Sequence, residues 1–568
     1  MRYFVLATDY DGTIAHNSGV AAEIVESLKA LKASGRTIIL VTGRELDELK
    51  DIFSDHNIFD RIVAENGALI YNPATLEETL LGDPPPKEFV EELRRRGVHP
   101  ISVGRVIVAT WEPHQNTVLE VIKQFGIEHQ IIFNKGAVMI LPPGINKAKG
   151  LSAALTAMQF SLHNVVAVGD AENDTAMLQA AECAVAVSNA LPALKDVSDL
   201  VTIADHGYGV KELIEHITSD DLASLDGKML RHYIEIGNRF DNAPFAVSAY
   251  GTGIIVAGTS GGGKTTLTAA FMESLNALGY QYCLIDPEGD YLEMKGAVAV
   301  GDATQPPAID PLMQLLEKPQ QSVIACTLAL PMDEKPVFLQ QLLAAILKLR
   351  QDKGRPHWLI LDEAHHLAPV AADVDSFSSL SVFSNFMAIT TKPELLHKPL
   401  LERTNTIIAV GENPEATINS YAQIIGVEKP TLNNAQLQKG EVLVWQREAG
   451  TAPFLARTKA PQQVLQRHKR KYATGDMAEN SFYFTGSENK LKLRANNLQT
   501  FVQLAEGVDD DTWLFHLHNH DYSKWMNEKV NDAALAEQVE RVENVEPDAH
   551  ASREAISKLI QLHYTAPA

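Results

Sequence analysis

A chain of 568 residues is longer than one domain and predicts three or four. Hydrophobic content of 45% and a mean hydropathy of -0.09 mark globular material, and no apolar run approaches the roughly 20 residues that span a bilayer. The net charge of -23 divides as -12 over residues 1–220, -4 over 221–470 and -7 over 471–568, which excludes a general nucleic-acid binder because phosphate attraction dominates that affinity.

The near-neutral middle leaves room for a local basic channel, and the densest basic run is Arg467-His468-Lys469-Arg470-Lys471, read as a solvated linker. Cys183, Cys283 and Cys326 lie far apart in apolar settings, which fits neither a disulfide framework nor a zinc site. A reducing cytoplasm is the expected compartment. The N-terminus shows no cleavable signal, since Tyr3–Ala7 leads straight into acids.

Along residues 1–218, apolar strands at Tyr3–Ala7, Thr37–Val41, Val165–Val168 and Ala184–Val187 alternate with helical stretches such as Ala21–Lys32 and Leu151–Met158. That alternation predicts a doubly wound parallel sheet, whose ligands bind beyond the carboxyl ends of the strands. Polar clusters fall at those ends: Asp9/Asp11, Thr42-Gly43-Arg44, Asp170 with Asn173-Asp174, and Ser188-Asn189. Asp9 is placed to attack a phosphoryl group and form an aspartyl phosphate. Asp11, two residues on, serves as general acid and then base. Clustered carboxylates repel a phosphate, so a hard cation is required, with Asp9, Asp11, Asp170 and Asp174 as the candidate Mg²⁺ set. Thr42 and Lys147 are the candidates to hold the phosphoryl oxygens.

These motifs resemble the haloacid-dehalogenase superfamily, in its Cof-type branch of small phosphatases. The resemblance rests on Asp9-Tyr10-Asp11-Gly12-Thr13, Thr42-Gly43-Arg44, Glu65-Asn66-Gly67-Ala68, Lys147, Gly169–Asp174 and Ala184–Ala190. It implies substrate or phosphate contacts at Gly43, Arg44, Asn66, Asn173 and Asn189. It also implies a cap that chooses the leaving group, here residues 84–140 between core segments 1–83 and 141–218. The cap reads as two short βαβ-like pieces, with helices at Pro86–Arg96 and His114–Gly126 and strands at Val103–Ala109 and Gln130–Phe133. A cap of this size is similar to those of small archaeal-type phosphoglycolate phosphatases, which implies small sugar or organic-acid phosphates as substrates.

A second motif opens after the acidic linker Ser219–Ser224. A strand at Gly251–Ala257 and a helix at Lys264–Ala277 flank Gly258-Thr259-Ser260-Gly261-Gly262-Gly263-Lys264-Thr265-Thr266. Gly258, Gly261, Gly262 and Gly263 bend the loop so that N–H groups face phosphate, and the helix N-terminus adds its dipole. Lys264 is expected on the β/γ-phosphates of ATP, with Thr265 and Thr266 beside it. Strand His357–Leu361 ends in Asp362-Glu363, with Asp362 near Mg²⁺ and Glu363 polarising water, a pair that favours ATP hydrolysis over a kinase.

Residues 230–460 resemble the HerA/FtsK-type ATPases, through Gly258–Thr266, Leu284–Tyr291 and Leu359–His365. The resemblance implies a RecA-like domain, here bounded at 225–470, and a homo-oligomer, up to a hexamer. Thr391 stands where many relatives carry a glutamine sensor. Arg403 is weighed as an arginine finger and read as a surface arginine.

From Lys471 to the end a small, mainly helical module is expected, with helices at Asn489–Leu504, Ala533–Val545 and Ala551–Leu562. His516, His518 and His520 alternate there, which suits a helix poorly as a metal site. The fold expected is therefore α/β: a Rossmann-like core with a small α/β cap, a RecA-like P-loop domain and a helical tail. The leading function is a Mg²⁺-dependent small-ester phosphatase fused to an ATP-hydrolysing domain, with no membrane partner. Two other readings are a nucleic-acid-processing or defence-type assembly trimming nucleotides or polynucleotide ends, and a nucleotide-sensing scaffold.

Overall fold

In a computed structural model, the structure describes residues 1–229, 232–259, 261–370, 383, 385–431, 436–447, 452–463, 477, 480–487, 490–530, 532–545 and 548–564. The basic run 467–471 lies outside the described residues. The chain divides into two compact units, 1–462 and 463–568.

The first part of the larger unit carries β1 (Val5–Thr8), β2 (Thr37–Val41), β3 (Arg61–Ala64), β4 (Leu69–Asn72), β5 (Glu77–Leu80), β6 (Ser102–Val103), β7 (Val108–Trp111), β8 (Gln130–Asn134), β9 (Ala137–Leu141), β10 (Val165–Gly169), β11 (Cys183–Ala186) and β12 (Leu200–Val201). Eight of these form one sheet in the order β12-β11-β10-β1-β2-β3-β4-β5. β1 pairs in parallel with both β10 and β2, so the chain order reverses around it. That reversal opens the crevice in which such sheets bind ligands. Both faces are covered, and β1 and β10 are accordingly buried throughout. Helix Ala22–Ala33 buries Ile24, Val25, Leu28 and Leu31, the three-to-four spacing of a face packed on a sheet.

The insert builds its own four-stranded sheet, β6-β7-β9-β8, antiparallel throughout. This corrects the expected βαβ-like pieces. β8 and β9 are joined by Lys135-Gly136, with φ of 48° and 87°, and a two-residue turn of that kind makes only an antiparallel hairpin. The strand expected at Val103–Ala109 is also broken. The N–H groups of Arg105, Val106 and Ile107 donate to the Glu65 carboxylate at 2.7, 2.8 and 2.9 Å, so they leave the ladder and the chain turns. One face of the cap sheet packs Val108 and Ile140 against Phe89, Leu93, Val118 and Val121 of helices Lys87–Arg95 and Gln115–Phe125. The other face presents Met139 and Leu141 to the core.

The second sheet comprises β13 (Tyr233–Arg239), β14 (Pro244–Ser248), β15 (Gly253–Gly258), β16 (Tyr282–Asp286), β17 (Ala297–Val300), β18 (Ser322–Cys326), β19 (Trp358–Leu361), β20 (Phe386–Thr390), β21 (Thr406–Val410), β22 (Glu441–Gln446) and β23 (Phe454–Thr458). Their order is β14-β13-β23-β22-β21-β15-β20-β19-β16-β18-β17. From β21 to β17 every pairing is parallel.

These two sheets meet at the amino ends of their central strands. His163, just before β10, donates its Nε2–H to Leu278 O at 2.9 Å and stacks on Tyr280, just before β16, at 3.8 Å between ring centres. Tyr250, before β15, donates its hydroxyl to His163 O at 2.8 Å. Buried Arg355, before β19, donates to Gln159 O at 2.9 and 3.2 Å, and Lys353 donates to Met158 O at 2.9 Å.

The smaller unit pairs strands Phe482–Phe484 and Leu493–Ala495 and adds helices Leu498–Gly507, Asp510–His518, Asp521–Glu528, Ala533–Val545 and Ala549–Tyr564. Its core is aromatic, around Phe482, Phe484, Phe501, Trp513, Tyr522 and Trp525. The helix expected at Asn489–Leu504 begins only at Leu498. Asn497 caps it by accepting the Thr500 N–H, and Phe482 and Phe484 draw residues 493–495 into a strand. His516 is structural: Nδ1 lies 2.8 Å from Asp521 Oδ2, and Nε2 accepts the Thr485 N–H at 3.0 Å.

Candidate functional site

β1 ends at Thr8 and β10 at Gly169, so Asp9 and Asp170 stand side by side beyond the carboxyl edge. Lys147 opens helix Lys147–Ala157, whose cap residue Asn146 accepts the Lys149 N–H. Its fully buried ammonium donates to Asp9 Oδ1 at 2.5 Å and Asp174 Oδ1 at 2.6 Å. Asp174 Oδ2 accepts the N–H groups of Asp170 and Ala171, both at 3.0 Å, which fixes that carboxylate. Thr13 Oγ1 lies 3.2 Å from Asp170 Oδ1 and 3.4 Å from Asp9 Oδ2.

Ligand oxygens of Asp9, Asp170 and Asp174 all lie within 4.8 Å of one another, in a buried group. Burial, and next the Asp174 charge, push the Asp9 carboxyl up to about 8. Burial also raises Asp170, against the pull of Lys135. Burial opposes charge on Lys147, but Asp174 and Asp9 outweigh it and hold the ammonium above the usual lysine value. With all three carboxylates ionised, two lysines would leave one negative charge over, and the proton that Asp9 keeps removes it. An all-oxygen set of this kind fits a hard divalent cation.

The other sequence candidates fall into separate places. Asp11 is outside the three-acid group. Its carboxylate takes a two-pronged contact from Arg44, Nε and Nη2 each at 2.6 Å. Thr42 is buried after β2, and its Oγ1 accepts the Arg44 N–H at 3.1 Å. Asn173 Nδ2 donates to Asn66 Oδ1 at 3.0 Å. Gly43 lies beneath Met139 of the cap, whose Cε would stand 2.9 Å from a Cβ there. Asn189 is turned to the backbone, donating to Gly12 O at 2.8 Å and accepting the His206 N–H at 2.7 Å.

Two roles here were not assigned from the sequence, that of Glu65, which entered only as part of a motif, and that of Lys135. Glu65 binds the cap turn, as described above. Lys135 comes down from the cap hairpin to Asp170 Oδ2 at 2.6 Å. The Asn-Lys-Gly turn was legible as a turn signal, but nothing in it announced which core residue it would meet.

The nucleotide motif follows β15. Gly258, at φ 150°, passes so close to β21 that a Cβ would lie 2.0 Å from Val410 O. Lys264 opens helix Lys264–Leu278, is buried, and donates to Gly258 O at 2.9 Å and Thr259 O at 3.2 Å, inside its own loop. Thr265 is buried and Thr266 exposed. Asp362 and Glu363 follow β19, one strand removed from β15, and both are buried. Glu363 has a left-handed backbone, φ 38°, a strained geometry for a non-glycine.

Two further residues join this cluster. His365 Nδ1 lies 3.5 Å from Glu363 Oε2 and 3.3 Å from the Thr390 hydroxyl at the end of β20. Burial, then His366 and Lys264, lower His365 to about 4, so it is neutral at pH 7. Thr390 thus meets Glu363 only through His365. Arg403 is exposed, and its carbonyl lies 2.6 Å from a Cβ position on Gly253, at the foot of β15 away from the loop.

Fold and site together define an acid-cluster hydrolase joined to a P-loop nucleotide domain. The profile of the haloacid dehalogenase-like hydrolases matches residues 6–105 and 102–214, and that of an AAA domain matches residues 249–396. The chain is 32% identical over 218 residues to a phosphoglycolate phosphatase of Methanothermobacter thermautotrophicus, spanning 37% of this chain and 96% of that protein. It is 30% identical over 223 residues to phosphoglycolate phosphatase 2 of Saccharolobus solfataricus, spanning 38% and 92%. A haloacid dehalogenase-like hydrolase from Bacteroides thetaiotaomicron superposes with TM-score 0.33 and 20% identity, over 38% of this chain and 99% of that one. The chain belongs to the haloacid dehalogenase-like hydrolases, as a phosphatase of that family fused to an AAA-type P-loop domain. Among the described residues no helix is long and apolar enough to cross a membrane.

Proposed function

We propose that the chain hydrolyses a small phosphate monoester at Asp9, with 2-phosphoglycolate or a similar organic-acid or sugar phosphate as substrate, and hydrolyses ATP at Lys264. The observation that carries the first half is Lys147 bridging Asp9 and Asp174 with Asp170 beside them. Relatives named as phosphoglycolate phosphatases support the substrate class.

Asp9, Asp170 and Asp174 would hold Mg²⁺, which when bound neutralises phosphoryl charge and orients the ester. Asp9 attacks phosphorus, the ester oxygen departs, and the phosphoryl group is carried on the Asp9 carboxylate. Asp11 gives the leaving oxygen its proton and then takes one from the attacking water, after swinging off Arg44. Lys147 and Thr42 hold the phosphoryl oxygens. Arg95 and Arg96 support a small substrate rather than a nucleic-acid end, because Glu92 takes both of them, at 2.6 and 2.8 Å.

In the second half, the loop Gly258–Thr266 cradles the triphosphate, Asp362 supports its cation and Glu363 polarises the water. One strand between β15 and the acid-bearing β19 supports the HerA/FtsK-like reading. We take 1–83 with 141–218 as core, 84–140 as cap, 225–470 as the ATPase domain and 471–568 as a separate module, in a cytoplasmic homo-oligomer. Cys183, Cys283 and Cys326 are buried and form no disulfide, which agrees with that compartment. The test is a panel of esters and ATP offered to Asp9→Asn and Lys264→Ala proteins, with solution mass measured alongside. Phosphatase activity that survives Asp9→Asn ends the first half, and ATP turnover that survives Lys264→Ala ends the second.

A further inference from the structure

Lys135 reaches the acid group from the cap. It is the first residue of the two-residue turn between β8 and β9, so its stem is anchored in a fixed hairpin. Its ammonium stands 2.6 Å from Asp170 Oδ2 and 2.8 Å from a Cβ position on Gly12. Gly12 lies in the loop that carries Asp9 and Asp11. On the same face of the cap sheet Met139 comes down on Gly43, in the loop after β2. The two core loops that flank the acids are thus each covered at contact distance, one by a cation and one by an apolar side chain. The alcohol that leaves phosphorus, opposite Asp9, must fit in that short gap.

We propose that Lys135 is a specificity-determining residue, binding a carboxylate carried one or two carbons from the ester oxygen and so selecting small acidic phosphate esters. The inference rests on the phosphatase reading above and names the side chain that reads the leaving group. Lys147, Asp9 and Asp174 already satisfy one another, whereas Lys135 has one carboxylate partner, Asp170, and its side chain is 47% exposed. Asp170 engaged by a cation has less to offer the ammonium, which then faces the ligand. A compact, strongly hydrated ammonium takes one carboxylate as a point charge.

The test compares 2-phosphoglycolate with 2-hydroxyethyl phosphate, which lacks the carboxylate, in wild type, Lys135→Met and Lys135→Arg. The wild-type preference in kcat/KM for the acidic ester should fall by roughly tenfold to a hundredfold in Lys135→Met, mainly through KM, and return in part in Lys135→Arg. Calorimetric binding of the two esters to Asp9→Asn protein, with and without Lys135→Met, gives the same comparison without turnover. Equal losses on both esters, or an unchanged preference, overturn the proposal. A wild type that hydrolyses neither ester removes the phosphatase reading, and the binding arm still decides: a preference that survives Lys135→Met overturns the role of Lys135.

Discussion

The Tyr280 hydroxyl stands 3.2 Å from Oε2 of Glu182, across the joint between the two sheets of the larger unit. Glu182 is fully buried and also meets His163 Nδ1 at 2.6 Å and Arg2 Nη2 at 3.0 Å. Burial alone would raise this carboxyl, but His163, His232 and Arg2 outweigh it and bring it down to about 2. Glu182→Leu leaves the Arg2 charge without this partner, and breaking a buried pair costs about 3–5 kcal/mol. Tyr280→Phe removes one hydrogen bond and should cost about 1–2 kcal/mol. Urea unfolding of both variants measures these losses.

The same carboxyl sets a pH window. A depressed acid stabilises the fold above its unfolded value of about 4.5, and that contribution is lost as pH falls toward about 2. Glu182→Gln should flatten the stability profile between those limits. Denaturation midpoints from pH 5 to pH 2, compared with wild type, give the result.

Asp9 behaves in the opposite sense. Its raised value, about 8, means the cation-free fold keeps a proton that the unfolded chain releases near pH 4. Stability of the cation-free protein therefore declines as pH rises from about 4 to about 8. Added Mg²⁺ should raise the melting temperature more at pH 8.5 than at pH 5.5. Asp9→Asn should remove that pH dependence. A scan with chelator and with Mg²⁺ at both pH values decides it.

Glu65 holds the cap by three N–H groups, those of Val106 and Ile107 buried and that of Arg105 half-buried. Glu65→Ala leaves all three without that acceptor, at about 1–3 kcal/mol each. The amides of residues 105–107 should exchange faster, and KM for the phosphate ester should rise at least tenfold. Hydrogen exchange on the cap peptide and steady-state kinetics report the two effects.

At the nucleotide site, Thr390→Val removes the hydroxyl 3.3 Å from His365. ATP affinity should stay within about threefold, since the loop contacts are untouched, while hydrolysis slows by roughly tenfold. Because the two sheets join at their amino ends, neither catalytic edge borders the other. Saturating ATP should change phosphatase kcat/KM by less than about threefold.

The candidate site residues could be named without coordinates. Asp9, Lys147, Asp170 and Asp174 each sit at a strand or helix end that hydrophobic periodicity marks, and strand-end position in a parallel sheet dictates where they gather. The same holds for Gly258–Lys264 and the acid pair Asp362-Glu363. What alternation of strands and helices could not carry was any contact between distant segments with no pattern of its own. The Asp11–Arg44 pair depends on two neighbouring loops, and Glu65 meets residues 105–107 only because the cap folds back. Lys135 reaches Asp170 across 35 residues, and His163, Glu182 and Tyr280 meet only when the amino ends of two sheets abut. Sequence alone named the candidate groups. Packing decided which charges oppose one another, because burial and neighbour distance set their energies and neither is a local property of the chain.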